Sequence, residues 1–587
     1  VQPSHSLPPD GAEAAGDAWH QRTACQTFVL LILLAVAVAP ILYGVIVYAV
    51  DIPYIDEWET VALLQRYSQG RLKLFDLLIP HNSYRQLVSN LLFIALGDTV
   101  QLNLKWEMFL TVLMVAHTGW MWVGTLRRVA AMPFLVVAGI SLFLFSVLFT
   151  AKQHENWVLG MQFVYAFPVY CLTVCTRVAV SDRRFLVRSA IVVPVCVLCT
   201  FSSANGLLCW LALLPLAWGT GMSDTRPRTW PWLALWCAVA ALAVGGYLFD
   251  YQQPMHRIEL WPQWPSLTTV VTYFIRVVGN GYGTRLSISL TEFVGTLTLI
   301  GWLISCGIIV RLRHDRDTIG ALLPWVVLGL YGLGNAILIT VARSHLGPDQ
   351  ALASRYPGLT LFLGLSVAIL PVIASYRRPE LRRLRTFAWA MGVWMLAATT
   401  LKWARHGDDF AHLTRFTQEI ALGKAGLLVG THLPYAEHRF QIFFPAEAFG
   451  TYQYRLESLT SLADWLDANQ LLRPALIKEP YLRQSRQHPT AVLGRFAEVS
   501  WRHDTVVATG QVEDTALLPL RQAVIITSQE VSGRRRFVGI DNAGTAAWTA
   551  AIPAHRLQRE DLLLEAWLLD GETGMFRAIP GSHARPQ

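Results

Sequence analysis

Up to about residue 401 the chain consists of apolar blocks of roughly 13 to 23 residues separated by short polar loops, close to the ~20 residues a helix needs to cross a ~30 Å hydrocarbon core. Such blocks fold as membrane-spanning helices, because a chain surrounded by lipid must satisfy its own backbone polar groups. Composition agrees: of 587 residues, 53% are hydrophobic and 15% charged, and the mean hydropathy of +0.38 lies outside the soluble range. The blocks fall at about 28–50, 104–126, 134–150, 157–176, 186–201, 207–219, 232–248, 293–310, 319–341, 359–374 and 387–401, which makes about eleven spans. Two further stretches, 87–96 and 268–278 around Arg276, are short for spanning and suit helices lying on or dipping into the membrane surface.

Alternate loops carry the arginines: Arg127 and Arg128; Arg177, Arg183 and Arg184; Arg226 and Arg228; Arg311, Arg313 and Arg316; and Arg377, Arg378, Arg382, Arg383 and Arg385. Basic loops stay cytoplasmic, so the formal charge of +8 is a topology signal, not a nucleic-acid surface. A polar tail, 1–27, precedes the first span; it lacks the charged start and cleavage site of a secretory signal, and 28–50 is too long for a signal's apolar stretch. A retained first helix with a cytoplasmic tail is therefore expected. The eight cysteines lie in or beside apolar segments and read as small hydrophobes. That patterning makes neither a disulfide framework nor a zinc site.

The unusual polar clusters then all face the periplasm. The first loop, 51–103, opens with Asp51-Ile52-Pro53-Tyr54-Ile55-Asp56-Glu57-Trp58-Glu59. Acids at this depth supply a general base, since partial desolvation and a like-charged neighbour raise a carboxylate's proton affinity. Asp56 and Glu57 equally suit a divalent cation such as Mg or Mn, or the cap of the helix that follows. Farther along the loop, His81, Tyr84 and Arg85 precede another apolar helix, with His81 and Arg85 one turn apart and able to meet one anion or to anchor the helix at headgroup level. Lys152-Gln153-His154-Glu155-Asn156-Trp157 and Ser202-Ser203-Ala204-Asn205-Gly206 are compact polar connections, the second also a strong turn signal. Between the ninth and tenth spans stand Arg343, His345, Arg355 and Tyr356. An arginine fork at headgroup depth fits phosphate oxygens, although arginines there also snorkel.

Beyond Lys402 the sequence turns polar. Residues 402–494 read as a periplasmic linker with helices, including one over 456–466, and 495–587 as a domain of short β-rich runs, at 506–512, 523–527, 537–540, 548–552 and 562–569, separated by turn signals. An antiparallel β-sandwich is expected there. No phosphate loop of the GxxxxGK[ST] kind occurs, and the one D-x-D match, Asp315-Arg316-Asp317, sits in a short basic loop with no fold around it to hold a nucleotide.

The segments Asp56-Glu57-Trp58, His81 to Arg85, Glu155-Asn156-Trp157, Ser203-Ala204-Asn205-Gly206 and Ala353-Ser354-Arg355-Tyr356 resemble those of bacterial GT-C fold membrane glycosyltransferases, over residues 28–401. The resemblance implies a GT-C-like catalytic membrane domain, a polyprenyl-phosphate sugar donor, a glycan or lipid-linked acceptor, and an inverting transfer with the first-loop acid as base. Asp56 stands at that position; the pair here is Asp-Glu where Asp-Asp or a lone Asp is common in the group. The expected site comprises Asp56 and Glu57 for catalysis, Arg343, His345, Arg355, His81 and Arg85 for the donor phosphate, and Tyr84, His154, Glu155, Asn156, Asn205 and Tyr356 for substrate. A multi-pass bacterial inner-membrane location with a periplasmic active site is expected, with membrane lipids but no nucleic acid as partners. Two alternatives remain: a transporter or flippase of a lipid-linked or anionic substrate, and an O-antigen polymerase or ligase.

Overall fold

A computed structural model describes residues 9–55, 57–80, 84–129, 132–181, 183–219, 229–251, 265–282, 287–429, 432–433, 452–502, 504–513, 522–542, 547–558 and 561–584. The helices are α1 (Pro9–Tyr48), α2 (Glu57–Ser68), α3 (Leu87–Thr99), α4 (Lys105–Val129), α5 (Phe134–Leu148), α6 (His154–Val158), α7 (Phe163–Ala179), α8 (Phe185–Thr200), α9 (Leu208–Ala212), α10 (Leu214–Gly219) and α11 (Thr229–Leu248). They continue as α12 (Leu267–Asn280), α13 (Ile288–Leu312), α14 (Arg316–Arg343), α15 (Pro357–Arg377), α16 (Arg382–Ala404), α17 (His406–Val429) and α18 (Tyr452–Ala468).

Seven helices among the described residues are long and apolar enough to cross a membrane: Thr23–Tyr48, Lys105–Val129, Phe134–Val158, Pro231–Leu248, Ile288–Leu312, Arg316–Leu346 and Pro357–Arg377. The chain is thus a mostly helical membrane protein. The other four expected spans form helices that are shorter, broken or more polar. Within 157–176 the chain first turns at Gly160–Gln162, so that α7 begins only at Phe163; α8 has 16 residues, ~24 Å at the helical rise. The 207–219 stretch breaks at Leu213 into α9 and α10, and α16 opens on Arg382, Arg383 and Arg385. Helix α15 is the centre of the bundle, with 94% of its apolar window buried, whereas α11 at 11% lies on the rim.

Helices α12 and α13 touch backbone to backbone. A Cβ on Gly279 would stand 2.0 Å from the Thr291 carbonyl oxygen, and one on Gly295 2.1 Å from that of Ile275. Paired small residues of this kind let membrane helices approach closely.

Polar side chains gather at one end of the bundle, described below, and the arginines of the basic alternate loops at the other. At the arginine end Arg127 donates to the Thr27 hydroxyl at 3.3 Å, Arg377 to the Val129 carbonyl, and Arg378 pairs with Asp315. Asp315, first acid of the D-x-D match, caps α14 by accepting from the Thr318 amide at 3.2 Å. Hydrogen bonds from Thr318, opposed by partial burial, and the Arg378 guanidinium hold its carboxyl below the usual range.

The C-terminal strands are β1 (Gly494–Trp501), β2 (Thr505–Val512), β3 (Gln522–Glu530), β4 (Arg535–Asn542), β5 (Ala547–Pro553), β6 (Asp561–Asp570) and β7 (Phe576–Ala584). They form a three-stranded sheet, β1-β2-β5, and a four-stranded sheet, β4-β3-β6-β7, every pair antiparallel. Period-2 alternation gives β3 and β6 two apolar faces. Val524, Ile526, Leu564, Ala566 and Leu568 meet Val506, Ala508, Trp548 and Ile552 inside the sandwich. Ala523, Ile525, Trp567 and Leu569 join the main core, where β3 and β4 pack on α17. Helix α17 therefore links the two parts: Phe410 near its start stacks on Tyr43 and meets Tyr48 of α1 edge-on, and its last residues, from Ile420 to Val429, are buried.

Candidate functional site

The first loop is tied down by its acids. Asp51 accepts from the Leu104 amide at 2.9 Å, joining the two ends of the loop. Burial raises the proton affinity of this carboxyl, opposed by the Lys424 ammonium and that amide. Four residues on, Ile55 adopts φ of +45°, a left-handed conformation that costs a β-branched residue ~1–3 kcal/mol and is held only where the surroundings enforce it. The strained residue immediately precedes Asp56, which lies outside the described residues, as does His81. Glu57 is 1% exposed. Its carboxylate accepts from the Tyr54 amide at 2.7 Å and the Met161 amide at 2.6 Å, fastening the first turn of α2 to the turn before α7.

That turn interrupts an apolar stretch, and its buried polar groups explain why. Thr150 accepts from the Lys152 amide at 3.3 Å, and the Trp157 indole donates to the Thr150 carbonyl at 2.9 Å. Lys152 reaches the Asn280 carbonyl of α12. Asn280 in turn donates to the Ala351 and Ala353 carbonyls at 3.1 and 3.0 Å. Glu155 pairs with Arg355 at 2.8 Å and accepts from Ser354, while the Asn156 amide donates to the Arg355 carbonyl at 3.1 Å. The α5–α7 turn and the α14–α15 connection are one hydrogen-bonded unit.

Arg355 lies over the Tyr356 ring, 5.5 Å from its centre. Burial works against its charge, but Glu155, Tyr356 and Tyr165 together raise its proton affinity above the usual arginine range. The guanidinium stays charged. Arg343, half-buried at the end of α14, lies with Arg355 in the electrostatic surroundings of Tyr165 and Tyr273, and His345 is exposed two residues beyond it. Tyr54 is buried edge-on against Phe416 of α17, at 5.8 Å. Burial, then Glu155 and Glu419, raise the proton affinity of its hydroxyl, and Arg355 lowers it. The His154 ring lies 5.2 Å from Phe416. Below this layer a cleft of about 450 Å³ is lined by Gln153, Asn156, Gln162 and Tyr165 among apolar side chains. Asn156 Oδ1 and Gln162 Oε1, on two of the lining residues, are buried with no hydrogen-bond partner among the described residues, an unmet acceptor capacity that is costly inside a fold.

The structure thus brings Glu57, His154, Glu155, Asn156, Arg343, Arg355 and Tyr356 to one end of the bundle. The Arg85 guanidinium donates to the carbonyls of Tyr247 at 2.8 Å, Leu78 at 2.5 Å and Phe249, and so clamps the end of α11. Tyr84 is half-buried beside it. Asn205 is buried in the Ala204–Leu207 turn that packs on α7, α8 and α9. Sequence reasoning passed over Tyr54, Tyr165, Asn280 and Glu107. Glu107 is 3% exposed, and its carboxylate approaches that of Glu57 across Gly160, where a Cβ would stand 2.5 Å from one and 3.1 Å from the other. An acid inside an apolar block was the available signal. Among the described residues no group of three or more His, Cys, Asp or Glu is arranged to hold a metal ion.

No family model, curated protein or solved structure matches this chain.

Proposed function

We propose that this protein is a membrane glycosyltransferase that moves a sugar from a polyprenyl-phosphate donor to a periplasmic glycan or lipid-linked acceptor. The supporting observation is the junction of three separate segments, the first loop, the α5–α7 turn and the α14–α15 connection, where Arg355 pairs with Glu155 next to Asn156, a residue that lines the adjoining cleft. Counting α7, α8, the α9–α10 pair and α16 as further crossings gives eleven spans and returns the C-terminal sandwich to the side of the first loop. On the arginine rule that side is the periplasm of a bacterial inner membrane.

In this reading Asp56 accepts the proton of an acceptor hydroxyl as its oxygen attacks the anomeric carbon; the carbon–oxygen bond to the lipid phosphate breaks, and the configuration inverts. The departing phosphate needs charge stabilisation and no proton, which Arg343 and Arg355 supply. Glu57, whose oxygens already accept two amides, positions the loop, which leaves the base role to Asp56. A divalent cation at the two acids is compatible with this chemistry and is not required by it.

The test is Asp56→Asn in cells, with glycan profiling of membrane and envelope. Loss of one sugar decoration at normal protein abundance is expected, and an unchanged profile removes Asp56 as base. The interrupted helix across α5, α6 and α7 favours a second reading, a transporter of a lipid-linked anion, because broken helices at substrate depth mark transporters. In that case Asp56→Asn leaves the sugar linkage intact and changes which membrane face the lipid accumulates on.

A further inference from the structure

A larger cleft, of about 860 Å³, lies between α8, α10 and α11, away from the site above. Two aromatic contacts hold α11 off the bundle: Phe185 against Trp232 at 4.3 Å and Trp210 against Trp236 at 4.8 Å. Val192, Val193, Leu213, Leu216, Leu235 and Val239 line the space. Its walls offer water almost nothing, and apolar cavities stay dry; inside a bilayer the available apolar filler is an acyl chain. One end is charged. Arg188 lines the cleft, anchored by donation to the Ala179 carbonyl at 2.7 Å and lying over Phe185, and the exposed Arg183 and Arg184 precede it at the start of α8. Cations at a helix N-terminus oppose its dipole, and among the described residues the N-cap residue, Arg184, makes no side-chain cap to the first amides of this helix. An anion seated there relieves both.

We propose that this cleft binds an anionic phospholipid of the surrounding bilayer, with an acyl chain between α8 and α11 and its phosphate at Arg188 and the start of α8. Basic pockets between membrane helices on the arginine-rich side are where such headgroups collect. Bound lipid completes the packing of a rim helix that otherwise makes few contacts with the protein.

The experiment uses the full-length chain in neutral detergent, titrated with phosphatidylglycerol, with phosphatidylcholine of the same chains, and with polyprenyl phosphate, read by native mass spectrometry. One phosphatidylglycerol is expected to bind in preference to phosphatidylcholine. Arg188→Gln should weaken it about fivefold, the worth of one basic side chain near an anionic lipid, and leave phosphatidylcholine unchanged. Leu235→Trp, at a half-exposed position that accepts a larger side chain, should fill the cleft and abolish the preference. Equal binding of the two phospholipids, unchanged phosphatidylglycerol binding in either variant, or its displacement by an equal concentration of polyprenyl phosphate overturns the assignment.

Discussion

A carboxylate that accepts two main-chain amides is a fixed point of the fold, and Glu57 is one. Glu57→Gln turns one acceptor into a donor facing an amide, so we expect a loss of ~1–3 kcal/mol, the cost of an unsatisfied buried group, visible as a lowered Tm. Gly160→Ala should cost a similar ~1–3 kcal/mol through overpacking, since its Cβ would stand 2.5 Å from Glu107. The arginines show what spacing cannot tell. Arg85 and Arg355 look alike in sequence, each at the end of an apolar block, yet one is enclosed by carbonyls and the other faces a single carboxylate.

Among the elements, the helix break across 149–162 is the one on which the site depends, and its polar run was legible as a polar connection between two apolar blocks. What could not be read was that the break continues past Trp157. There Leu159 and Gly160 carry no turn chemistry stronger than one glycine, and it is the Glu57 hydrogen bond to Met161 that fixes them. The α12–α13 contact makes a cleaner prediction. A leucine at Gly295 would meet the Ile275 backbone, so Gly295→Leu should separate the two helices and lower Tm by several degrees, whereas Gly139→Leu, at an open position, should leave it unchanged. Strands β2 to β6 announced themselves by short β-rich runs. Strands β1 and β7 did not, because β1 interleaves Arg495 and Glu498 with its apolar residues and β7 contains Pro580 and Gly581, which interrupt the apolar run and which an edge strand, as both are, tolerates.

For the whole molecule, the gathering of Arg127, Arg377 and Arg378 at the end opposite the polar connections was legible, because alternate loops of a helical bundle share an end. The span count was not, since short and broken helices blur into long ones under hydropathy alone. Nor did the sequence reveal that α17 carries the sandwich on one end and Phe416, packed on Tyr54 and His154, in its middle. Trp567, buried on the face of β6 that joins the main core and donating its indole N–H to the Thr527 hydroxyl at 2.9 Å, should cost ~3–5 kcal/mol as Trp567→Ala and expose the C-terminal domain to limited proteolysis. The central claim is that the α14–α15 connection seats a lipid phosphate beside the first-loop acid. Its most direct test is equilibrium binding of polyprenyl phosphate to the purified full-length protein. We predict at least tenfold weaker binding for Arg343→Gln and Arg355→Gln and wild-type binding for Asp56→Asn; unaltered binding in both arginine variants would contradict the account.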